Sequence, residues 1–503
     1  MKSTIFRLFL LLLISQISAC GVAVRGIANG VTTFGNSEVF HQGQHGELTE
    51  DEKKWAKIAW QYFENNYNAE TGIVNSKDYF QAADLWQMSD TIAATIIAHE
   101  FKFIDRVYFD VRISTLLNFL NYMPLSYGKL PNKMYNAVGG NMVDAGNQGN
   151  DVGWSAIDIG RLLTWLKILA AYDSQYSEYV DKIILRWNFC EIITDCGMLY
   201  SANKKPPTWE LKNEEEKRVG YLEYAQMGYS LWGFPERHPE TTRAYQTAYV
   251  MGIEIPYDGR DPRVTGYSPV VSLPYLVYGL EYNWDLYDDT HSNDTVHTNK
   301  FIADIAERIY KVQEARYEQE KVFTARTDHP RTSEPYYLYD SIFAGGYAWN
   351  SIDAKGDYYE RYALVSTRAV FGLWALWRTD YTKKLLRLIN TLYSEKRGWY
   401  EGRLEQTAGY DKSISLSTNA MVLMSLFYKT NGKIFRQLTG KTHADVIIGD
   451  DFRRPNGCFP PDREACPLTD SDAKSGSKWY KASGAVPLKL DIDENDYLPV
   501  EQK

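Results

Sequence analysis

Between Trp55 and Tyr428, apolar and polar positions fall into a recurring order. A stretch with apolar residues at helical spacing ends in a turn containing Gly. A short extended segment follows, and then a second apolar helix rich in Ala, Leu and Trp. Five copies can be laid end to end. Thr71-Gly72-Ile73-Val74 precedes Leu85-Trp86-Gln87-Met88-Ser89-Asp90 and a helix predicted over Thr91–Glu100. Tyr127-Gly128-Lys129-Leu130-Pro131-Asn132 precedes Gly153-Trp154-Ser155-Ala156-Ile157-Asp158 and a helix to Ala171. Cys196-Gly197-Met198-Leu199-Tyr200 precedes Gly220-Tyr221-Leu222-Glu223-Tyr224 and a helix to Trp232. Val322-Phe323-Thr324-Ala325 precedes Ser366-Thr367-Arg368 and a helix over Ala369–Trp377. Arg397-Gly398-Trp399-Tyr400-Glu401 precedes Ser417-Thr418-Asn419 and a helix over Ala420–Tyr428. A period of roughly 50 to 70 residues, each unit pairing two helices, is too uneven for a solenoid and fits a closed barrel of helix pairs. The expected fold is an all-α toroid of about six helical hairpins with short β-hairpins on the connections.

The flanks depart from this order. Lys2 and Arg7 precede the apolar run Leu8 to Ile17, and Ile17-Ser18-Ala19-Cys20-Gly21 reads as a bacterial lipobox. The run is too short for a permanent span, so the segment is an address and acyl chains on Cys20 are the expected anchor. Gly21 carries no inner-membrane retention signal, so the expected location is the outer membrane, facing the periplasm or the cell surface. Residues 1–19 are then a signal peptide, 20–50 a lipid-anchored tether rich in Gly, Ser, Asn and Gln, and 51–440 the toroid. Residues 441–503, with Pro460-Pro461 and an acidic end, form an irregular extension. Setting Cys20 aside leaves Cys190 and Cys196 six apart and Cys458 and Cys466 eight apart. In an oxidising compartment these spacings favour two local disulfides. No metal is expected, because neither Cys-x-x-Cys nor a His-rich cluster accompanies them.

Composition narrows the partner. The net charge is −9, which argues against nucleic acid, since phosphate binding wants a basic face. The 14 Trp and 38 Tyr supply flat faces with a polar handle, suited to sugar rings as well as to a large core.

The inner helices of such a ring begin at its mouth, and each start brings a carboxylate or an aromatic ring there. Asp90 follows Trp86, Asp158 follows Trp154, Glu223 adjoins Tyr224 and precedes Trp232, Glu334 precedes Pro335-Tyr336-Tyr337, and Glu401 follows Trp399-Tyr400. Sugar hydrolysis needs this chemistry: one protonated acid for the leaving oxygen and one carboxylate as base or nucleophile. Aromatic walls stack on the sugar and raise the pKa of the acid by desolvation. Glu223 is the expected general acid, with the second carboxylate drawn from Asp158, Glu334 and Glu401. Trp86, Asp90, Asn132, Trp154, Arg161, Tyr224, Trp232, Asp328, Tyr336, Trp349 and Trp399 are the expected substrate contacts. Plainer readings stand beside these: first-turn carboxylates cap helices, Arg161 can pair with Asp158 at i+3, and tryptophans fill cores. No Gly-x-Ser-x-Gly, His-Glu-x-x-His, phosphate loop or Gly-x-Gly-x-x-Gly occurs, and no cofactor is expected.

Trp154-Ser155-Ala156-Ile157-Asp158-Ile159-Gly160-Arg161-Leu162-Leu163, Leu130-Pro131-Asn132-Lys133, Leu185-Arg186-Trp187-Asn188 and Gly220-Tyr221-Leu222-Glu223-Tyr224-Ala225 resemble the bacterial family known as domain of unknown function 3131. Tyr257-Asp258-Gly259-Arg260-Asp261 and Arg397-Gly398-Trp399-Tyr400-Glu401-Gly402 extend the likeness. That family is similar to glucoamylase-like (α/α)6 enzymes and β-1,2-glucanases, and its members often accompany exopolysaccharide or capsule genes. The resemblance implies an inverting or glycosyl-transferring hydrolase acting on an envelope polysaccharide. The chain departs from the family pattern at Leu222-Glu223, where a Glu-Glu pair is usual. It departs again at Leu273-Pro274-Tyr275, where Glu-Pro-Tyr is expected and a carboxylate is lost. Two rival expectations follow. One is a catalytically silent glycan-binding factor working with polysaccharide export machinery; the other is a lyase using Tyr or His with Arg161 or Arg368.

Overall fold

The computed structural model describes residues 43–193, 198–204, 210–234, 245–260, 262, 266–286 and 297–435. Eleven helices lie within them: α1 (Glu50–Asn65), α2 (Leu85–Glu100), α3 (Arg106–Tyr122), α4 (Ala156–Tyr172), α5 (Ser177–Leu185) and α6 (Tyr221–Ser230). The others are α7 (Leu273–Tyr282), α8 (Lys300–Glu320), α9 (Thr367–Leu376), α10 (Asp380–Ile389) and α11 (Leu416–Asn431).

Six of these close a ring. α2 packs on α4, α4 on α6, α6 on α7, α7 on α9, α9 on α11, and α11 returns to α2. The ring helices are apolar on every face and almost wholly buried, as α4 shows from Ala156 to Tyr172. An outer layer covers them: α1 lies on α11 and α2, α3 on α2, α5 on α4, α8 on α7, and α10 on α9. These outer helices bury one face only. α10 turns Tyr381, Thr382, Leu385, Leu388 and Ile389 inward and leaves Lys383 in water. Between α6 and α7 the described chain carries an antiparallel hairpin, Tyr245–Val250 with Ile253–Asp258, so no outer helix stands beside α6 among the described residues.

Two differences from expectation have local causes. Thr91 is not the start of α2. Asp84 caps that helix, accepting from the Gln87 backbone while the Gln87 side chain accepts from the Asp84 backbone, and the helix starts at Leu85. The second is α7, which the five repeats did not contain: Val270-Val271 and Pro274 give its start the look of a strand edge, yet Pro sits well in a first helical turn.

The ring tightens where glycines meet. A Cβ on Gly228 of α6 would stand 1.8 Å from the Gly160 carbonyl oxygen of α4, and one on Gly160 would stand 2.7 Å from the Ala225 oxygen. Only backbone against backbone fits there. Short sheets occupy the connections at the end where the ring helices begin, among them Ala82–Asp84 paired with Met134–Asn136, and Gly398–Leu404 between Leu364–Ser366 and Tyr410–Ile414.

No helix among the described residues is long and apolar enough to cross a membrane. Cys20, the signal segment and the extension 441–503 lie outside the described residues. Cys196, Cys458 and Cys466 lie outside them too, so both expected pairings fall on positions beyond the described residues.

Candidate functional site

The inside of the ring is tied by one guanidinium. Arg161 of α4 reaches Asp90 of α2 at 2.6 Å, Glu281 of α7 at 2.9 Å and the Tyr224 hydroxyl of α6 at 2.7 Å. Tyr224 and Trp165 in turn donate to Glu281, at 2.5 and 3.0 Å. The Trp86 ring lies under the guanidinium, 4.4 Å away. Burial pushes the carboxyls of Asp90 and Glu281 up, and the Arg161 charge pulls them back. None of Arg161, Asp90 or Glu281 is more than 2% exposed. Arg161, Asp90 and Tyr224, expected as substrate contacts, therefore lock four ring helices together. Nor does Arg161 pair with Asp158 on its own helix. Desolvation dominates here, and removing one partner of such a pair costs about 3–5 kcal/mol.

Several other candidates are framework. Trp154, Trp232 and Trp399 are fully buried, each with its indole N–H on a backbone carbonyl: Tyr200, Leu163 and Trp55 respectively. Asn132 is fully buried too, donating to the carbonyls of Met134 and Val143 and accepting from Val152. Trp349 is buried against Arg316, whose guanidinium lies 4.5 Å from its ring. Glu223, the expected acid, is 4% exposed and turns its carboxylate back onto the Gly220 N–H at 2.6 Å, capping α6. Its sequence position is first-turn, and the macrodipole claims it. Glu334 stands exposed on a turn.

What the mouth does bring together lies on the connections. Asp84 and Asp158 are both half-buried. Burial raises the Asp84 carboxyl well above the ordinary range, and the Asp158 charge raises it further against the pull of the Gln87 and Trp86 backbone. Burial raises Asp158 as well, opposed by Arg218, Ser155 and Lys133. Arg218 is held by Glu216 at 2.9 Å, whose carboxyl drops to about 2 because the charge and hydrogen bonds of Arg218 outweigh its burial. Burial raises the Tyr339 phenol, which also feels the charges of Arg218, Asp328, Glu216 and Asp158. The Trp86 ring against Tyr221, which donates to Asp328, links the start of α2 to the Asp328 wall.

Asp328 forms the facing wall. It accepts from the hydroxyls of Tyr221 at 2.9 Å, Thr327 at 2.9 Å and Tyr337. Burial and the Asp328 charge hold the Tyr221 and Tyr337 phenols far above their ordinary range, so both stay protonated donors. Behind them Glu401 is fully buried, accepts from Ser415 at 2.5 Å and Thr418 at 2.8 Å, and faces Arg368 at 3.8 Å. Burial works against the Arg368 charge, and Asp328 and Glu401 hold it in place. Trp86 floors this space, its ring 5.6 Å from that of Tyr221.

Asp158, Asp328 and Trp86 thus remain at the mouth, Glu401 supports it from behind, and Tyr336 stands exposed to solvent. Sequence reasoning passed over Asp84, Arg218, Tyr221, Tyr337 and Tyr339. Asp84 carried a signal, an Asp three residues before Gln87 at the head of an apolar run; the tyrosines carried none. Among the described residues no group of three or more His, Cys, Asp or Glu is placed to hold a metal.

Solved structures share this architecture. A glucoamylase-like protein from Bacteroides caccae is 14% identical, with 79% of this chain and 97% of its own covered, at a TM-score of 0.54. An endo-β-1,2-glucanase from Chitinophaga pinensis, solved with sophorotriose and glucose, is 11% identical over 80% of this chain and 98% of its own, at 0.51. A β-1,2-glucanase from Parabacteroides distasonis is 13% identical over 80% of this chain and 60% of its own, also at 0.51. At such identities the likeness is one of fold. No curated protein matches the sequence. The sequence pattern of the family described as protein of unknown function, DUF3131, matches residues 54–432, most of the chain and all six ring helices, and the chain belongs to that family.

Proposed function

We propose that this protein is a glycoside hydrolase of the cell envelope, built on a full (α/α)6 toroid, with Asp84 and Asp158 holding the catalytic proton between them. The observation that carries this reading is two half-buried carboxyls at one mouth, both raised by burial, with the charge of Asp158 raising Asp84 further. Such a pair keeps one proton at a pH where a lone Asp has lost it, and the proton belongs to the pair. It is donated to the glycosidic oxygen as the bond to the sugar breaks. Asp328, held by three hydroxyls across the space, is the second carboxylate and activates water. The glucan-related names of the similar structures support a polysaccharide ligand. A lyase would need a tyrosine that gives up its proton, and Tyr221 and Tyr337 are pushed the other way.

The test follows product release from linear β-1,2-glucan, α-1,4-glucan and the host's own envelope polysaccharide. Asp158→Asn and Asp328→Asn should each lower kcat at least about 100-fold. Asp84→Asn keeps the helix cap, since Asn caps as well as Asp. In that variant Asp158 titrates without its partner, so the alkaline limb of kcat/KM should move to lower pH. Glu223→Gln should keep kcat within a few-fold. Wild-type protein that binds a glycan but releases nothing would overturn the hydrolase reading and leave a binding factor.

The location is part of the same proposal: the lipobox supports an outer-membrane lipoprotein carrying acyl chains on Cys20. Radiolabelled palmitate should enter the wild type and not Cys20→Ala; equal labelling of both would refute it.

A further inference from the structure

Beside the mouth the chain sets aromatic rings out into water. Tyr79 is 87% exposed, Tyr336 58% and Tyr337 41%. Single exposed apolar residues need no explanation, but a contiguous group beside a cleft marks a binding surface. Two segments bring these rings together, and neither is loose.

The first is residues 77–80. Lys77 pairs with Ser415, the residue that caps α11, and the Asp78 N–H donates to the Ile414 carbonyl at 3.1 Å. Tyr79 takes a φ of +64°, in the left-handed region that a bulky side chain rarely enters. That backbone turns its ring outward. Arg397 lies 5.5 Å from the ring and is itself fixed by Asp78 at 2.6 Å. The strained backbone thus holds a ring mostly in solvent, with the Arg397 guanidinium as its neighbour.

The second segment is the turn that bears Tyr336 and Tyr337. Arg331 anchors it, with its guanidinium 3.5 Å from the Tyr362 ring and 3.4 Å from Asp411. Lys77 joins the two segments: its ammonium lies 5.0 Å from the Phe80 ring and 5.8 Å from the Tyr336 ring, and it donates to the Arg331 carbonyl at 3.0 Å. Tyr337 then hands the strip to the mouth, because its hydroxyl donates to Asp328.

The geometry points to a sugar platform. We infer that Tyr79, Phe80, Tyr336 and Tyr337 bind further pyranose units of the chain whose cleaved units sit between Asp158 and Asp328, so that the protein takes polymers in preference to short oligosaccharides. Flat phenol and phenyl faces match the C–H faces of pyranose rings, and Lys77 and Arg397 stand beside them to meet hydroxyls. The occupant is more of the same glycan because the strip is continuous with the mouth through Tyr337. This inference rests on the mouth being a glycan site.

The test uses the purified full-length protein, wild type and the Tyr79→Ala/Tyr336→Ala double variant, with Asp158→Asn as the mouth control. Binding is measured to linear β-1,2-glucan, amylose and the host's envelope polysaccharide, and to the trisaccharide of each glucan. Both tyrosines are exposed, so the double variant should keep its circular dichroism and melting curve. It should bind the polymer at least about tenfold more weakly, with trisaccharide affinity within about twofold, and should raise KM for polymer with kcat unchanged. Unchanged polymer affinity, or equal loss for polymer and trisaccharide, would overturn the platform. A wild type that binds none of these glycans would overturn it together with the mouth. Binding without turnover would sink only the hydrolase reading.

Discussion

His329 and Asp340 lie behind Asp328 with Nε2 and Oδ2 3.1 Å apart and neither side chain exposed. Asp340 also accepts from the Ser351 hydroxyl at 2.6 Å and the Leu364 N–H at 2.8 Å. Burial opposes a charged imidazole, but the Asp340 charge outweighs it and lifts His329 above its ordinary value. Burial likewise opposes the carboxylate, and His329 outweighs that, holding Asp340 below its ordinary value. The two contributions to stability have opposite pH dependence. The raised His329 contributes fully below about pH 6.5 and loses its share as pH climbs through the folded value. The lowered Asp340 contributes above about pH 4 and loses its share as pH falls through the folded value. Wild type should therefore exceed His329→Gln in Tm by most between about pH 4 and 6.5, with the gap narrowing on either side. A gap that is flat from pH 3 to 9 would show that the pair does not titrate with folding.

At the scale of the element, Gly160 and Gly228 set how closely α4 and α6 approach. Gly228→Ala would drive a methyl group into the Gly160 carbonyl, and because the obstacle is backbone, a whole helix must move. The loss should reach at least about 2 kcal/mol by denaturant titration, above the intrinsic helical gain of Ala over Gly. A stabilised variant would mean that the ring gives way easily at this contact. The ring helices were largely legible in the sequence, since the caps Asp84, Ser155 and Ser415 precede apolar runs at α2, α4 and α11. α7 was not, because Val270-Val271 and Pro274 mask its start. Nor was the direction of any side chain on a ring helix. Hydrophobic periodicity reports a face only when the opposite face is polar, and these helices are apolar all round. Glu223 therefore looked as catalytic as Asp158; Trp154, Trp232 and Trp399 lie outside the ring helices, where no helical period reports a face, and looked no different from Trp86.

For the whole molecule, the mouth is assembled mainly by connections and not by the helices they join. Asp84, Arg218, and Asp328 with Tyr337 come from three separate connections, so chemistry can vary there while the ring stays fixed. The ring in turn depends on its seam. α11 closes on α1 and α2, and Lys429 grips Glu52 at 2.7 Å across 377 positions of sequence. A solenoid can lose an end repeat and keep the rest, because each unit needs only its neighbour. Here the first and last helices are neighbours. During synthesis α1 and α2 leave the ribosome with the sides that meet α11 open, and nothing covers those sides until more than three hundred further residues have been added. Such distant pairing is slow to form and leaves the unfinished chain sticky meanwhile. The seam makes the fold all-or-none in time as well as in space: a chain cut short before α11 is an open apolar trough, and what it stands to lose is its solubility.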